Sequence, residues 1–544
     1  MKFLPSVAFL AALCVCGAYA SIADFVGALS KVLSPDQIVT DASTMGPVYN
    51  PRFPLADFTP SVIVFPSTDG EVQFVVKSAV AAGVPLAVRS GAGHSYIGQS
   101  TNAGGAVMSV FRLKGFSVVN DGGSYTVSVG AGTNMLELYT KLGTVPNTGL
   151  AFPGGSCPTV GVSGLLSGGG MGTTSAAYGI ASDRVVAADV VVFEASQGDY
   201  AVVHATPSNQ YANLLFAMRS GMGGNYGVAT TWYLSAEVAP ASAYLFVLKA
   251  QKTNVEAAMP YIMAYFKYFD DHPTLGMWTE VFARAGGYFE FKGHCNCVDA
   301  DCSQCETAVN TMLTAVFGAP GCSGFFYKCS LVQQPFEQAM WSWASCTSWG
   351  GGAAYPTGGI RGATPAEIDD AYAACYSYDG VHDTMAYTSK SLFYGAAASA
   401  SGFQAAFLAA VKLLDDPRAD GNGILQFEIV NGAMVKEPQA YPACTACSAT
   451  GRSTAWTHRT PGWHSQLEAY WDPSEGANPA GQLAWLSDVY NTMVPVSLGT
   501  AYQNYIDASL SVAEWSQQYF GADVFNELVA IKATYNPHNA FHVA

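Results

Sequence analysis

The chain has 544 residues, of which 50% are hydrophobic and 12% charged; this is enough apolar material for two large cores and excludes an intrinsically disordered protein. A formal net charge of −16 disfavours a polyanionic partner such as nucleic acid. Residues 1–20 carry a basic start at Lys2, a short apolar stretch and the small-x-small pattern Ala18-Tyr19-Ala20. They therefore read as a cleaved signal peptide, with the mature chain beginning near Ser21. The apolar stretch is too short to span a bilayer, and no later run is long enough.

In chain order, residues 61–66 predict a β-branched strand, and Asp69–Ala82 a helix capped by Ser67-Thr68. Residues 84–90, 106–110 and 124–129 predict further strands, and a helix running through Leu142 is expected behind a Thr133 cap. Residues 185–193 and 227–234 predict two more strands, the first buried. From about residue 238 the composition shifts towards cysteine, Trp and Tyr, with strands expected at 243–249 and 424–429 and helices at 254–269 and 402–414. A last helix is expected at 523–534, followed by a Pro turn. The expected organisation is α+β: a first domain over 21–237, an α/β domain over 238–490 that carries substrate contacts, and a tail over 491–544.

Residues 152–172 are dense in glycine around a single cysteine, Cys157. Glycine gives up conformational entropy there, and close backbone approach to something flat or phosphorylated is the expected return. A second glycine turn, Arg89-Ser90-Gly91-Ala92-Gly93-His94-Ser95-Tyr96, follows a predicted strand and lacks the Lys-Ser/Thr of a phosphate-loop nucleotidase. Read blandly, it is an ordinary turn with an exposed histidine. Removing Cys14 and Cys16 with the signal leaves 11 of the 13 cysteines, an odd number in an oxidising compartment. Ten of these lie between Cys295 and Cys447 and can make five bridges, so Cys157 is the odd thiol. Cys295, Cys297, Cys302 and Cys305, or Cys302 and Cys305 with Cys444 and Cys447, also admit a zinc reading, but their spacing is wrong for it, and disulfides are expected with no metal. No His-Glu-x-x-His or Gly-x-Ser-x-Gly occurs, so zinc protease and serine hydrolase readings have no support.

The order of the two glycine motifs, followed by Leu215 to Thr230, by Tyr502-Gln503-Asn504-Tyr505-Ile506-Asp507, by Tyr519-Phe520-Gly521 and by Lys532 to Phe541, resembles the berberine bridge enzyme-like family of FAD-linked oxidases. The resemblance implies a vanillyl-alcohol oxidase/PCMH-type FAD-binding domain and an α/β substrate domain with an antiparallel sheet roofing the flavin. It implies FAD attached twice, through His94 and through Cys157. The family usually has one residue fewer before the histidine; Ala92 is the extra one. The resemblance carries cofactor contacts to Arg89, Ser90, Gly91, Ala92, Gly93, Ser95, Gly154, Gly155, Thr159, Val160, Gly161, Gly164, Gly168, Gly169, Gly227, Val228 and Asn539. In such proteins a small residue at the Val160 position goes with oxygen as acceptor; its bland reading is a core valine.

Thr454-Ala455-Trp456-Thr457-His458-Arg459 is similar to a family motif preceding the strand over the flavin. Alternation along that strand sends His464, Gln466 and Glu468 to one face. Buried, those three need a polar purpose; on an exposed edge they would need none. Gln466-x-Glu468 is closest to the Gln-x-Asp of the family's carbohydrate oxidases, and its Glu also fits the alkaloid-cyclising members. By resemblance Tyr505 is the catalytic base assisted by Glu468, and Tyr96, Gln466, His464 and Tyr502 contact substrate. The expected activity is oxidation of a sugar's anomeric hydroxyl to a lactone with O2 reduced to H2O2, by a secreted monomer without membrane or nucleic-acid partners. Two alternatives stay open at this point. One is oxidation of an aromatic or allylic alcohol or an alkaloid amine; the other is a non-catalytic, flavin-containing binding protein.

Overall fold

The computed structural model describes residues 21–41, 59–91, 100–298, 301–321, 326–344, 346, 355–356, 358–378, 385–397, 401–437, 448–472 and 479–541. The signal-like segment 1–20, the turn residues Ala92, Gly93, His94, Ser95 and Tyr96, and Cys322, Cys444 and Cys447 lie outside them.

Three sheets organise the described chain. The first holds β1 (Ile38–Val39), β2 (Val62–Val64), β3 (Leu86–Arg89) and β4 (Ala106–Ser109) in the order β1-β2-β4-β3. Its last three strands are parallel, which requires a crossover between β2 and β3. The helix Asp69–Ala82 supplies it, as its spacing predicts. Thr68 accepts the Glu71 N–H through its side chain, Gly83 ends the helix at φ +65°, and Val72, Val75, Val76 and Ala79 are buried.

The second sheet holds β5 (Phe116–Asp121), β6 (Ser124–Gly130), β7 (Leu150–Ala151), β8 (Val185–Glu194), β9 (Asp199–Ala205) and β10 (Val228–Val238). The order is β5-β6-β10-β8-β9, with β7 paired to β10. The helix after β6 is Met135–Gly143, and its cap is Asn134 rather than the expected Thr133. Asn134 accepts the Glu137 N–H while Glu137 accepts the Asn134 N–H, a reciprocal box that Thr133 has no partner to make.

The third sheet is antiparallel throughout: β11 (Ser242–Gln251), β12 (Trp278–Arg284), β13 (Tyr288–Cys297), β14 (Lys328–Pro335), β15 (Ala386–Tyr394), β16 (Ile424–Val430) and β17 (Gly462–Trp471). Their order is β14-β11-β13-β12-β16-β17-β15. One face packs on helices. Phe266 of the helix Val255–Asp271 lies edge-on to Trp463 of β17 at 4.5 Å and to Phe403 of the helix Phe403–Leu413 at 5.5 Å. Strand β17 is flanked on both sides, and nine of its ten residues are buried. This removes the exposed-edge reading of His464, Gln466 and Glu468.

The tail returns to the first sheet. The helix Ala522–Tyr535 leads to Phe541, which bridges Leu86 of β3. Buried Asn536 fixes that return by donating to the Asn225 and Phe541 carbonyls and accepting the Ala540 N–H. Cys295–Cys305, Cys297–Cys302 and Cys346–Cys375 are disulfides, and Cys329 is disulfide-bonded as well. Cys297, Cys302 and Cys305 lie close enough to suggest a metal, but their sulfurs are spent in those bridges. Cys157 is in none of them, and it is exposed. No described helix is long and apolar enough to cross a membrane.

Candidate active site

A cavity of about 640 Å³ lies between the glycine loops and the third sheet. Its first wall is rich in glycine, with Gly91, Gly155, Gly161, Gly164, Gly172, Gly223, Gly224 and Gly227. The loop around Cys157 is tied to the start of the helix Met135–Gly143: Met135 N–H donates to the Val160 carbonyl at 3.0 Å, Leu136 N–H to Pro158 at 3.1 Å, and Val162 N–H to Thr133 at 2.9 Å. The Arg89 turn packs directly on it. A Cβ on Gly91 would come within 2.6 Å of the Gly161 nitrogen, so both positions need glycine for the two loops to touch. Arg89 Nε donates to the Gly91 carbonyl at 2.9 Å and holds the turn. Cys157, Val160, Gly164 and Gly227 line this wall.

The second wall is the exposed-to-cavity face of the third sheet. Register aligns Gln466 of β17 with Gln426 of β16, and His464 with Glu428. Gln426 Nε2 donates to Glu428 Oε1 at 2.8 Å, and Tyr470 donates its hydroxyl proton to Glu468 Oε1 at 3.3 Å. Gln466 and Glu468 both line the cavity, 7% exposed each. The tail closes it with Tyr502, Asn504 and Tyr505. The Tyr502 hydroxyl accepts from the Gly170 N–H at 2.8 Å and from Asn504 Nδ2 at 2.9 Å, and burial pushes its acidity far below that of a free phenol. Tyr505 is half-buried, and its ring packs on Tyr502 at 4.9 Å and on His464 at 5.3 Å.

The structure thus gathers Arg89, Ser90, Gly91, Gly155, Cys157, Val160, Gly161, Gly164, Gly227, Gln466, Glu468, Tyr502 and Tyr505 around one space. Several residues expected to make contacts do not line this cavity. His464 does not reach the cavity: it is wholly buried, its Nδ1 lies 3.1 Å from Glu428 Oε2, and burial holds its pKa down to about 3. Gly154, Gly168 and Gly169 serve packing: a Cβ there would collide with Met135 and Tyr139, with Asn504, and with Trp456 respectively. Val228 is fully buried in β10. Asn539 is exposed in the turn before Phe541 at φ +47° and does not line the cavity. Thr159 lies behind the wall with its hydroxyl buried and without a partner among the described residues.

Glu280, Glu428, Gln426, Lys292 and Arg284 line the cavity without having been singled out from the sequence. Their signal was present: Glu280, Phe282 and Arg284 alternate along β12, and Gln426 and Glu428 along β16, by the same period-two rule that exposed Gln466 and Glu468.

A glycine-rich wall with room at Gly164, where a Cβ would meet nothing within 4 Å, fits a flat ring laid close, and the Thr159 hydroxyl, buried and without a partner among the described residues, offers a polar group behind it. A family model described as "FAD binding domain" matches residues 60–195, and one described as "Berberine and berberine like" matches residues 501–544. Together the two matched regions make the chain similar to berberine bridge enzyme-like proteins at its FAD-binding part and at its C-terminal tail. It is 31% identical over 245 residues to berberine bridge enzyme-like 4 of Arabidopsis thaliana, an alignment covering 42% of this chain and 44% of that protein. The chain thus spans under half the length of the curated relatives it matches. Its fold matches the berberine bridge enzyme-like 1 protein of Physcomitrella patens with a TM-score of 0.73 at 21% identity, over 95% of this chain and 97% of that one. A chitooligosaccharide oxidase matches with a TM-score of 0.70 at 20% identity, over 95% and 98%. At those identities the two structures establish the fold, the expected FAD-binding architecture with an antiparallel roof. The matched FAD-binding domain supports FAD as the cofactor, and both glycine loops of the first wall lie within it.

Proposed function

We propose that this protein is a secreted FAD-dependent oxidase that converts the anomeric hydroxyl of a mono- or oligosaccharide to a lactone and reduces O2 to H2O2. The observation that carries the reading is the makeup of the second wall. Gln426, Gln466, Glu428, Glu468 and Lys292 supply hydrogen-bond donors and acceptors, while Trp343, Tyr387 and Tyr470 supply aromatic surface; Tyr387 and Tyr470 stack at 5.4 Å. Sugars present that pairing of hydroxyl edges and C–H faces. One of the structural relatives is, by its title, a chitooligosaccharide oxidase. The disulfides and the signal-like start support secretion.

FAD, when bound, supplies the two-electron acceptor for the hydride that leaves the substrate carbon and passes the electrons to O2. The chain does the rest. Tyr505 accepts the proton of the substrate hydroxyl, and Glu468, with Gln466 beside it, orients that hydroxyl. The carbon loses a hydride and the oxygen a proton; both hydrogens leave in H2O2, and the C–O bond becomes the lactone carbonyl. His94 and Cys157 are the two attachment points for the flavin; the exposed Cys157 thiol on the cavity wall suits an attack that needs thiolate.

Anaerobic exposure to a panel of mono- and oligosaccharides tests the reading: at least one is expected to bleach the flavin, and a panel without bleaching rejects it. Bleaching by an alkaloid amine instead would support a second reading, favoured by the three glutamates on the wall, Glu280, Glu428 and Glu468. Cys157→Ser is expected to leave the flavin on a single peptide, containing His94, after acid denaturation and proteolysis; two flavin-bearing peptides in that variant would remove Cys157 from the linkage. Val160→Leu fills space on the flavin wall and is expected to slow reoxidation by O2 about tenfold or more, about 1.4 kcal/mol, with reduction by substrate preserved. Stopped-flow mixing of the reduced variant with O2 reads this directly, and an unchanged rate rejects the role.

A further inference from the structure

Four adjacent strands of the third sheet set a row of titratable side chains side by side. Register pairs His464 of β17 with Glu428 of β16, Glu428 with Glu280 of β12, and Glu280 with Lys292 of β13. Residues directly opposed across an antiparallel pair share a face, with Cβ atoms about 4.5–5.5 Å apart, and like charges in that position repel. Glu280 and Glu428 are 4% and 6% exposed, and both line the cavity with Lys292.

Among the described residues their hydrogen bonds are few for two buried anions. Glu428 Oε1 accepts from Gln426 Nε2 at 2.8 Å, and its Oε2 faces His464 Nδ1 at 3.1 Å. Glu280 Oε1 accepts from Trp278 Nε1 at 3.2 Å. The Lys292 ammonium lies over the Phe282 ring, 4.9 Å from its centroid, and makes no salt bridge among the described residues. Two desolvated carboxylates this close do not both ionise near neutrality, because each charge raises the cost of the other.

We propose that Glu280 and Glu428 hold a single proton between them, so that the cavity wall presents an acid beside a carboxylate, a donor–acceptor pair that binds two neighbouring hydroxyls of the substrate. The hydroxyl-binding half rests on the sugar reading above; the shared proton does not. Burial pushes both carboxyls up from the ordinary range; at Glu280 the Glu428 charge adds to the rise and Lys292 opposes it. The remaining groups facing the pair are Arg284 of β12, Glu290 of β13, Glu468 of β17 and the phenols of Tyr502 and Tyr505 from the tail. His464 ends the row as a neutral ring, since burial keeps it unprotonated at neutral pH. With the carboxyl pKa raised, the donor persists at neutral pH and is lost as pH rises.

Infrared spectroscopy of the flavin-loaded protein tests the shared proton without any substrate. The difference spectrum of wild type minus Glu428→Gln, and that of wild type minus Glu280→Gln, is expected to show a protonated-carboxyl C=O stretch at neutral pH that fades as pH is raised. Lys292→Met is expected to move that fading to higher pH. Difference spectra that lack the band for both glutamine variants overturn the proposal. With a sugar that bleaches the flavin, wild-type KM is expected to rise about tenfold per pH unit above the titration at constant kcat, and either glutamine variant is expected to lose that rise. A rise retained in both variants overturns the hydroxyl subsite. If no sugar bleaches the flavin, the sugar reading and its subsite fall, while the infrared result still decides the shared proton.

Discussion

Tyr505→Phe is expected to slow substrate-driven flavin reduction by about 10²- to 10⁴-fold, the range for loss of a positioned general base. The protein should still purify loaded with flavin. The Tyr505 ring is held by packing on Tyr502 and His464, and its backbone by an N–H bond to the Tyr502 carbonyl at 2.9 Å; none of these uses the phenol oxygen. Phenylalanine therefore keeps the shape of the wall and removes one acceptor. The companion change Tyr502→Phe removes an oxygen that is already engaged by Gly170 and Asn504, so its effect falls on packing of the tail against the glycine run rather than on proton transfer. Anaerobic stopped-flow reduction separates the two. A Tyr505→Phe rate near that of wild type would take the proton-acceptor role away from this residue.

Arg459→Met is expected to destabilise the fold by about 3–5 kcal/mol, the usual loss when one partner of a buried ion pair is removed. Arg459 grips Asp183 with both terminal nitrogens, Nη1 to Oδ2 at 2.8 Å and Nη2 to Oδ1 at 2.7 Å, and Nη1 also donates to the Met434 carbonyl. The two side chains are 11% and 6% exposed. The pair joins the segment that leads into β17 to the turn that leads into β8, so it ties the third sheet to the second. Without the arginine, Asp183 stays buried with one neighbouring backbone donor, the Ile180 N–H. Adding Asp183→Asn to Arg459→Met should recover a large part of the loss, because it removes the stranded charge. Denaturant melts of the three variants read both effects, and a single-variant loss under about 1 kcal/mol would place the pair among weak, solvent-screened bridges.

Much of the local structure was legible in the chain. The helix Asp69–Ala82 and its Thr68 cap follow from apolar spacing and a polar start, both set within a few residues. The Asn134 cap was missed by one position because Thr133 and Asn134 are both capable caps, and only the return bond from Glu137 selects between them. Cysteine parity singled out Cys157, and the described disulfides leave it outside. Alternation along β17 placed Gln466 and Glu468 on a common face with His464, but could not tell that the first two reach open space and the third does not. That depends on Phe393, Tyr502 and Tyr505 packing over the imidazole from β15 and from the tail.

The sequence by itself determined the order of the glycine loops, several of the strands and helices, the odd cysteine and the residue types able to hold a flavin, since those are local or depend on counting. Only the tertiary structure decided which side chains share a surface. Glu280, Glu428 and His464 come from strands far apart in the chain, and it is antiparallel register, fixed by backbone hydrogen bonds across β12, β16 and β17, that sets them in one row. A slip of one residue in either pairing would turn each side chain to the opposite face and dissolve the row.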